Sequence, residues 1–480
     1  MQNLIFARSV VSITLSRVKP HLKRCLWILF LLPLICSSCK TTQEKAVSHF
    51  RTGVNYTRSG NQTNALVEYS RAIKFNPQYK DAYLLRGGAK FAIKDYDGAI
   101  LDFTKAVELG PTNNVENGAA FIGRGLCKFA LKDYNGAMAD YDEAIETDTN
   151  NANAYNYRGL AQAALRDWHG ANGDLNQAAE RTPEDATAYR NRALAEYPIK
   201  EYEKALADIS KAIELDGGDA MSYAICGFTK AALKDYPGAL TNFDKFVELA
   251  PQNADAYGSR GHIKSESGDF AGANSDFEKA LQLDPNDAGV FLARGFMKEK
   301  RGDDAGALAD FNSSASLDPN APEAYYYLGL LQYNSSQWGP ALENLRKTMA
   351  LKCSEDDPQF YIWLIQAQTG KAEDANKELG AFVDSLQGVK AKEWQARIGR
   401  FLTGSLPESE FIIQAGINTN RPSAIIEQIS DAYFYAGMKH KLAGDEQGAA
   451  SLFQKCLDAG DDNNLGNWSA RAELRAAKQH

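Results

Sequence analysis

The chain has 480 residues, of which 44% are hydrophobic and 24% charged, and its formal net charge is −8. This composition provides apolar material for a core, and with only 15 prolines it excludes collagen-like, proline-rich and globally disordered classes. The acidic balance argues against a broad phosphate-binding surface and so against a nucleic-acid partner. Seven widely spaced cysteines exclude a disulfide scaffold.

The first forty residues have the features of a targeting segment. No acidic residue occurs before Glu44, and a basic stretch precedes a short apolar run from Cys25 to Cys36. A membrane span needs about twenty apolar residues, so the run predicts a secretory signal. An ordinary signal or anchor and a mitochondrial transit peptide are the alternatives.

The end of this run, Ile35-Cys36-Ser37-Ser38-Cys39, resembles the bacterial lipobox. The resemblance implies that residues 1–38 are removed, that Cys39 carries a lipid, and that residues 39–45 form a short tether. It also implies a periplasmic protein anchored to a membrane, and Lys40 after the cysteine favours the outer membrane.

A 34-residue pattern then repeats along the chain. With each repeat numbered from 1 to 34, positions 8 and 20 are small, as in Gly87 and Ala99, and position 24 is large, as in Phe103. Small residues let two helices approach closely, and the large residue fills the space between them. An Asp near position 16 is placed to cap the second helix. The positions of these caps are Asp95, Asp133, Asp167, Asp235 and Asp269.

This pattern resembles the tetratricopeptide repeat, a helix–turn–helix unit of 34 residues. The resemblance implies an all-α, right-handed superhelical solenoid, with nine repeats over residues 46–355. Residues 356–429 are expected to form a degenerate helical repeat and linker helices. Residues 430–480 are expected to form one more repeat-like unit and a capping helix.

The C-terminal part carries a second resemblance. Its order of segments, from Trp394 through Arg400-Phe401-Leu402 to Leu474, is similar to bacterial repeat lipoproteins of the new lipoprotein I type. That resemblance implies an adaptor that recruits peptidoglycan hydrolases or a protease in the cell envelope, but it transfers no contact residue.

Position 7 on the first helix and position 23 on the second vary together. Where position 7 is Arg, position 23 is Asp; where it is Cys226 or Leu328, position 23 is neutral. We therefore predict a partly buried ion pair within each such repeat, although a ladder of arginines for an anionic ligand is the alternative. The pairs are Arg86 with Asp102, Arg124 with Asp140, Arg158 with Asp174, Arg192 with Asp208, Arg260 with Asp276, and Arg294 with Asp310.

The concave face of such a solenoid is lined by positions 2, 5, 9 and 12 of the first helix, as the family resemblance implies. These positions predict a groove for an extended or helical peptide, with packing between repeats as the alternative. The candidate residues are Phe50, Leu84, Phe91, Ile122, Leu126, Phe129, Arg190 and Tyr197. In later repeats the same positions give Phe296, Glu299, Tyr326 and Tyr333.

The sequence contains no recognisable catalytic, phosphate-binding or metal-ligating motif, so we predict no enzymatic activity, no cofactor and no metal. The hypothesis is a membrane-anchored scaffold that binds other proteins or peptides. Two alternatives stay open: a cytosolic or organellar co-chaperone, and an enzyme with unrecognised chemistry in the C-terminal part.

Overall fold

The computed structural model describes residues 41–110, 117–351, 358–386, 393–417, 422–459 and 465–477. Throughout these residues the regular structure is helical, which confirms the all-α prediction. The chain divides into two compact units, the first ending at Leu283 and the second running from Asp284 to His480. The predicted signal segment and Cys39 lie outside the described residues.

The described part of the first unit consists of seven repeats, each a first helix A followed by a second helix B. The helices are α1 Thr42–Arg58, α2 Gln62–Phe75, α3 Lys80–Ala92, α4 Tyr96–Glu108, α5 Gly118–Ala130, α6 Tyr134–Thr147, α7 Ala152–Ala164, α8 Trp168–Arg181, α9 Ala186–Glu196, α10 Tyr202–Leu215, α11 Ala220–Ala232, α12 Tyr236–Leu249, α13 Ala254–Glu266 and α14 Phe270–Leu283.

The second unit contains repeats eight and nine and the C-terminal helices. They are α15 Ala288–Lys300, α16 Asp304–Leu317, α17 Pro322–Asn334, α18 Trp338–Ala350, α19 Pro358–Gln368, α20 Ala372–Ser385, α21 Glu393–Leu402, α22 Glu408–Ile413, α23 Pro422–Leu442, α24 Glu446–Ala459 and α25 Leu465–Ala477.

Each repeat packs its two helices through the small positions that the sequence singled out. A Cβ atom added at Gly125 would lie only 2.5 Å from Cε1 of Tyr141, the large residue at position 24. Tyr141 and the alanine at position 20, Ala137, are both fully buried. The close approach of the helices therefore depends on glycine at position 8, because a methyl group there would displace the ring.

The turn between helices A and B has the same construction in most repeats. The Asp at position 16 accepts a hydrogen bond from the backbone N–H three residues later, at 2.9 or 3.0 Å, as in Asp95 to Gly98. This confirms the five predicted caps. The residue just before the Asp takes the left-handed conformation. It is glycine in repeats seven and eight, but Lys94 and Lys132 hold φ values of 65° and 64°.

Two helix boundaries differ from the sequence prediction, and one further helix was not predicted. Helix α1 begins at Thr42, inside the predicted tether, because Thr41 and Glu44 form a reciprocal capping box. The short helix α22 was not predicted; its Glu408 lies 3.0 Å from Nε2 of His440 on α23. Helix α23 begins at Pro422, eight residues before the predicted boundary at residue 430.

Candidate peptide-binding surface

Among the described residues, the apolar side chains predicted on helix A are partly exposed in repeats one to three and at Phe296 of repeat eight. At positions 5, 9 and 12 of those repeats the side chains are half-buried, with Val54 at 8% exposure as the most buried exception. In repeats four to seven most residues at these positions are buried. Six of the eight candidate residues are therefore half-buried side chains of repeats one to three: Phe50, Leu84, Phe91, Ile122, Leu126 and Phe129.

The two phenylalanines at position 12 pack on one side and remain accessible on the other. The ring of Phe91 lies 5.5 Å from that of Tyr96, and the ring of Phe129 lies 5.1 Å from that of Tyr134. Phe91 also packs against the buried cluster of Ala99, Phe103 and Cys127. The groove interpretation and the packing interpretation thus both hold in part, because each ring packs within its repeat and also contributes to the surface.

Arg190 and Tyr197 do not belong to this open surface. Arg190 is 5% exposed and donates a hydrogen bond of 2.8 Å to Asp219, the residue that precedes the helix A of repeat six. Tyr197 is 3% exposed, its ring lies 5.5 Å from that of Tyr202, and burial raises the pKa of its hydroxyl. The candidate groove is therefore restricted to repeats one to three, because the concave positions of repeats four to seven are mostly buried in internal packing.

The six predicted Arg–Asp pairs are all in contact. In every pair a guanidinium nitrogen lies 2.6 or 2.7 Å from a carboxylate oxygen. The aspartates are at most 8% exposed. The guanidinium groups of these arginines are therefore bound by carboxylates of their own repeats. This favours ion pairs that stabilise each repeat over a row of arginines that binds an anionic ligand.

These pairs have a third member that was not predicted from the sequence. In four repeats the lysine at position 11 of helix A places Nζ 2.8 or 2.9 Å from the second carboxylate oxygen of the same Asp. The lysines are Lys90, Lys128, Lys264 and Lys298. Their regular occurrence in the sequence was a signal that could have identified them.

The arginines also link neighbouring repeats. A nitrogen of Arg124 donates to Thr104 at 3.2 Å, and Arg158 lies 2.6 Å from Asp142, in each case on helix B of the preceding repeat. The hydrogen bond to Asp174 raises the pKa of the Arg158 guanidinium further. Corresponding contacts of Arg86, Arg192 and Arg260 follow the same pattern, so each of these five arginines links two repeats as well as two helices.

Repeat five departs from this arrangement at position 11. There the lysine is replaced by Glu196, which is 4% exposed and whose Oε2 accepts no hydrogen bond among the described residues. Burial raises the pKa of its carboxyl to about 7, the nearby Asp208 raises it further, and Arg192 opposes the shift. Glu196 is therefore a buried acid that changes its charge near neutral pH.

The described cysteines have no feature of a reactive site. Cys127, Cys226 and Cys456 are free and buried, and burial raises the pKa of Cys127 and of Cys456 to about 12. A thiol with so high a pKa carries little thiolate near neutral pH. Within the described residues, no group of three or more potential ligands is placed to hold a metal ion, and no helix is long and apolar enough to cross a membrane.

Comparison with known proteins gives one family. Models described as the TPR repeat or tetratricopeptide repeat match residues 125–165, 51–114, 158–220 and 254–287. A curated relative, the UDP-N-acetylglucosamine–peptide N-acetylglucosaminyltransferase of Giardia intestinalis, is 47% identical over 49 residues. That match covers 10% of this chain, and the chain spans only 3% of the length of this relative.

Several solved structures are also similar. A tetratricopeptide repeat protein from Parabacteroides merdae is 17% identical, with a TM-score of 0.39, covering 64% of this chain and 99% of that one. PilF of Pseudomonas aeruginosa is 20% identical, with a TM-score of 0.39, covering 44% and 94%. YrrB, titled a TPR protein with an unusual peptide-binding site, is 26% identical, with a TM-score of 0.30, covering 39% and 96%.

Proposed function

We propose that this chain, which contains tetratricopeptide repeats, is a scaffold that binds peptide segments of other proteins at the open surface of repeats one to three. The observation that carries the proposal is the partial exposure that Phe50, Leu84, Phe91, Ile122, Leu126 and Phe129 share at the concave positions of three consecutive repeats. A continuous apolar surface of this kind on a rigid framework suits an extended or amphipathic segment. The activity is binding, with no turnover of a substrate by the purified chain.

The rigidity of this surface favours binding because it lowers the entropic cost of association. In repeats two and three the Arg–Asp–Lys contacts fix helix A against its own helix B, and Arg86 and Arg124 fix it against the preceding repeat. A preformed surface loses little freedom when a partner docks. Affinities in the μM range, about −8 kcal/mol, are sufficient where both partners are held on one membrane.

We further propose that the scaffold acts in a bacterial cell envelope, attached to the outer membrane through a lipid on Cys39. This part rests on the sequence of residues 1–39 and on the resemblance to new lipoprotein I. It suggests peptidoglycan hydrolases or an envelope protease as partners. A cytosolic or organellar co-chaperone would instead keep its N-terminal segment.

The anchor is tested by Cys39→Ser. The variant is expected to move from the membrane fraction to the soluble fraction, because each buried CH₂ of a lipid chain contributes about 0.8 kcal/mol to membrane binding. Recovery of the unsubstituted protein in the soluble fraction with Met1 still present would refute the envelope assignment while leaving the binding surface untouched.

The binding surface is tested by comparing three serine substitutions in protein isolated from membranes after crosslinking. Leu126→Ser and the pair Phe91→Ser with Phe129→Ser should each reduce the recovered partners at least tenfold. Leu101→Ser on α4, where the side chain is 71% exposed, is the control and should leave recovery unchanged. Thermal unfolding separates the causes: unchanged recovery from folded Leu126→Ser protein would exclude this surface.

A further inference from the structure

The repeat-like unit formed by α23 and α24 has a histidine where other repeats have a lysine. With Gly437 at position 8, position 11 is His440, the place of the lysine that contacts the buried Asp in repeats two, three, seven and eight. In this unit position 23 is Leu452, so the buried carboxylate that the lysine contacts is absent. The half-buried imidazole of His440 contacts two other carboxylates instead.

The two ring nitrogens of His440 contact carboxylates of two different elements. Nδ1 lies 2.6 Å from Oδ2 of Asp445, in the turn before α24, and Nε2 lies 3.0 Å from Oε2 of Glu408 at the start of α22. The other oxygen of Asp445 accepts the backbone N–H of Gly448 at 2.9 Å. An imidazolium donates from both nitrogens, whereas a neutral imidazole donates from one only. Both contacts are therefore hydrogen bonds only while His440 is protonated.

The other charged groups on the elements around His440 are bound elsewhere or exposed. Nζ of Lys439 donates to the carbonyl oxygens of Phe401 and Leu402, at the end of α21, at 3.2 and 3.4 Å. Lys441 pairs with Glu473 of α25. Three further charged side chains, on α21, α22 and α24, are exposed: Arg400, Glu410 and Glu446. Glu408 and Asp445 are thus the charged groups in contact with the ring.

These two carboxylates favour the charged form of the histidine. The hydrogen bond with Asp445 raises the pKa of His440 most strongly, Glu408 raises it further, and burial opposes the shift. The contacts are therefore complete below the ordinary pKa of histidine, about 6.5, and are lost as the pH rises through the higher value of the folded chain. The Gly448 N–H and His440 lower the pKa of Asp445, so this carboxylate stays charged throughout that range.

Helix α22 depends on contacts of this kind for its position. Its six residues are too few to form a stable helix on their own. The buried ring of Phe411 stacks on Trp394 and Phe401 of α21, with ring centroids 5.3 and 4.3 Å apart and interplanar angles of 7° and 10°. Ile412 packs partly against the same core, whereas Ile413 is 68% exposed. Opening of α22 would uncover the aromatic stack.

We propose that His440 is a pH-dependent clasp, which in its protonated form holds α22 against α23 and the turn before α24, and which on deprotonation lets α22 open and uncover the stack of Trp394, Phe411 and Phe401 more often. Local opening of a short element needs less free energy than global unfolding, so one lost contact at its first turn changes the frequency of opening. The clasp involves the second unit alone and does not depend on the peptide-binding surface of repeats one to three.

Hydrogen exchange measured by mass spectrometry on the full chain tests the clasp at residues 408–413. At pH 5.5 this segment should be at least about threefold more protected in the unsubstituted chain than in His440→Gln, because glutamine stays neutral. At pH 8.5, where both side chains are neutral, the two proteins should exchange alike. The control is His169→Gln, which removes an exposed histidine from α8 and should leave this segment unchanged at both pH values.

The titration of His440 is followed separately by NMR of the full chain labelled at the histidine rings, with its signal identified by its absence in His440→Gln. Its pKa should lie above 6.5 and should fall in Glu408→Gln and in Asp445→Asn. The asparagine preserves the cap, since Asn61 caps α2 in the same way. Circular dichroism establishes that each variant is folded, and Glu408→Gln replaces His440→Gln in the exchange experiment if the latter is not. A pKa at or below 6.5, or equal protection of the folded proteins at pH 5.5, would overturn the proposal.

Discussion

Much of the buried charge in the described residues belongs to one repeated group, an Arg, an Asp and often a Lys. The Arg–Asp pairing could be predicted because the repeats can be aligned with one another: in eight of the nine repeats the two charges are both present or both absent. Repeat one, with Thr52 and Glu68, is the exception. The lysine and the link to the preceding repeat were not predicted, because each needs the distance between helices that only the fold provides.

The number of cations around each Asp predicts how far the loss of its Arg lowers the free energy of unfolding. Arg158→Leu should destabilise by about 3–5 kcal/mol, because Asp174 then stays buried without a cation. Arg124→Leu should cost less, about 1–2 kcal/mol, because Lys128 still lies 2.8 Å from Asp140. Urea unfolding of the two variants makes the comparison.

The control for this prediction is the neutral pair that repeats six and nine already use. Adding Asp174→Asn to Arg158→Leu should recover much of the loss, since no unpaired carboxylate remains. If the single and double variants are equally unstable, the two side chains are not coupled and the ladder does not contribute as described.

Glu196 predicts a dependence of stability on pH. Its pKa rises from 4.5 to about 7 on folding, so the unfolding free energy should fall as the pH rises between these values. Glu196→Gln should remove that part of the pH dependence, about 1–3 kcal/mol, and should be stabilising at pH 8. Thermal unfolding from pH 4 to pH 8 measures it.

The exposed Glu203 on α10 offers the matched control. Glu203→Gln removes the same charge from the same repeat but should leave the pH profile of the unsubstituted chain in place. A Glu196→Gln profile that cannot be distinguished from that of Glu203→Gln would show that the buried acid does not titrate in this range.

At the scale of the helices, the A–B turn carries a strain that most repeats accept. Lys132 holds a φ of 64°, a conformation that costs a residue with a Cβ about 1–2 kcal/mol and glycine almost nothing. Lys132→Gly should therefore raise the unfolding free energy by about 1 kcal/mol, measured by urea unfolding. Lys132→Ala, which removes the charge but keeps the Cβ, should give no such gain; equal gains would assign the effect to charge.

The helices of the repeats were predictable because small, large and capping residues recur at fixed positions. Helix α22 was not, since six residues after Pro407 are too few to show a period. The groove was partly predictable: position numbers identified Phe50 to Phe129, but the burial of Arg190 depends on Asp219, 29 residues later and outside the repeat pattern.

At the scale of the whole molecule, the unpredicted feature is the return of the C-terminal helices onto repeats eight and nine. Tyr333 meets Met438, and Tyr361 meets Ser469, across 105 and 108 residues of sequence. No repeat register connects such residues, so the sequence alone offered no means of placing them. The result is that the apolar concave positions of repeat nine are buried, whereas those of repeats one to three are half-buried except at Val54.

The central claim is that partners bind the open surface of repeats one to three. A photo-crosslinking amino acid placed at Leu126, half-buried on α5, or at Leu101, exposed on α4, compares that surface with helix B. In cells that produce the full chain, we predict crosslinked partner proteins from position 126 and at least tenfold less from position 101. Crosslinking that is equal at the two positions, or stronger at position 101, would contradict the account.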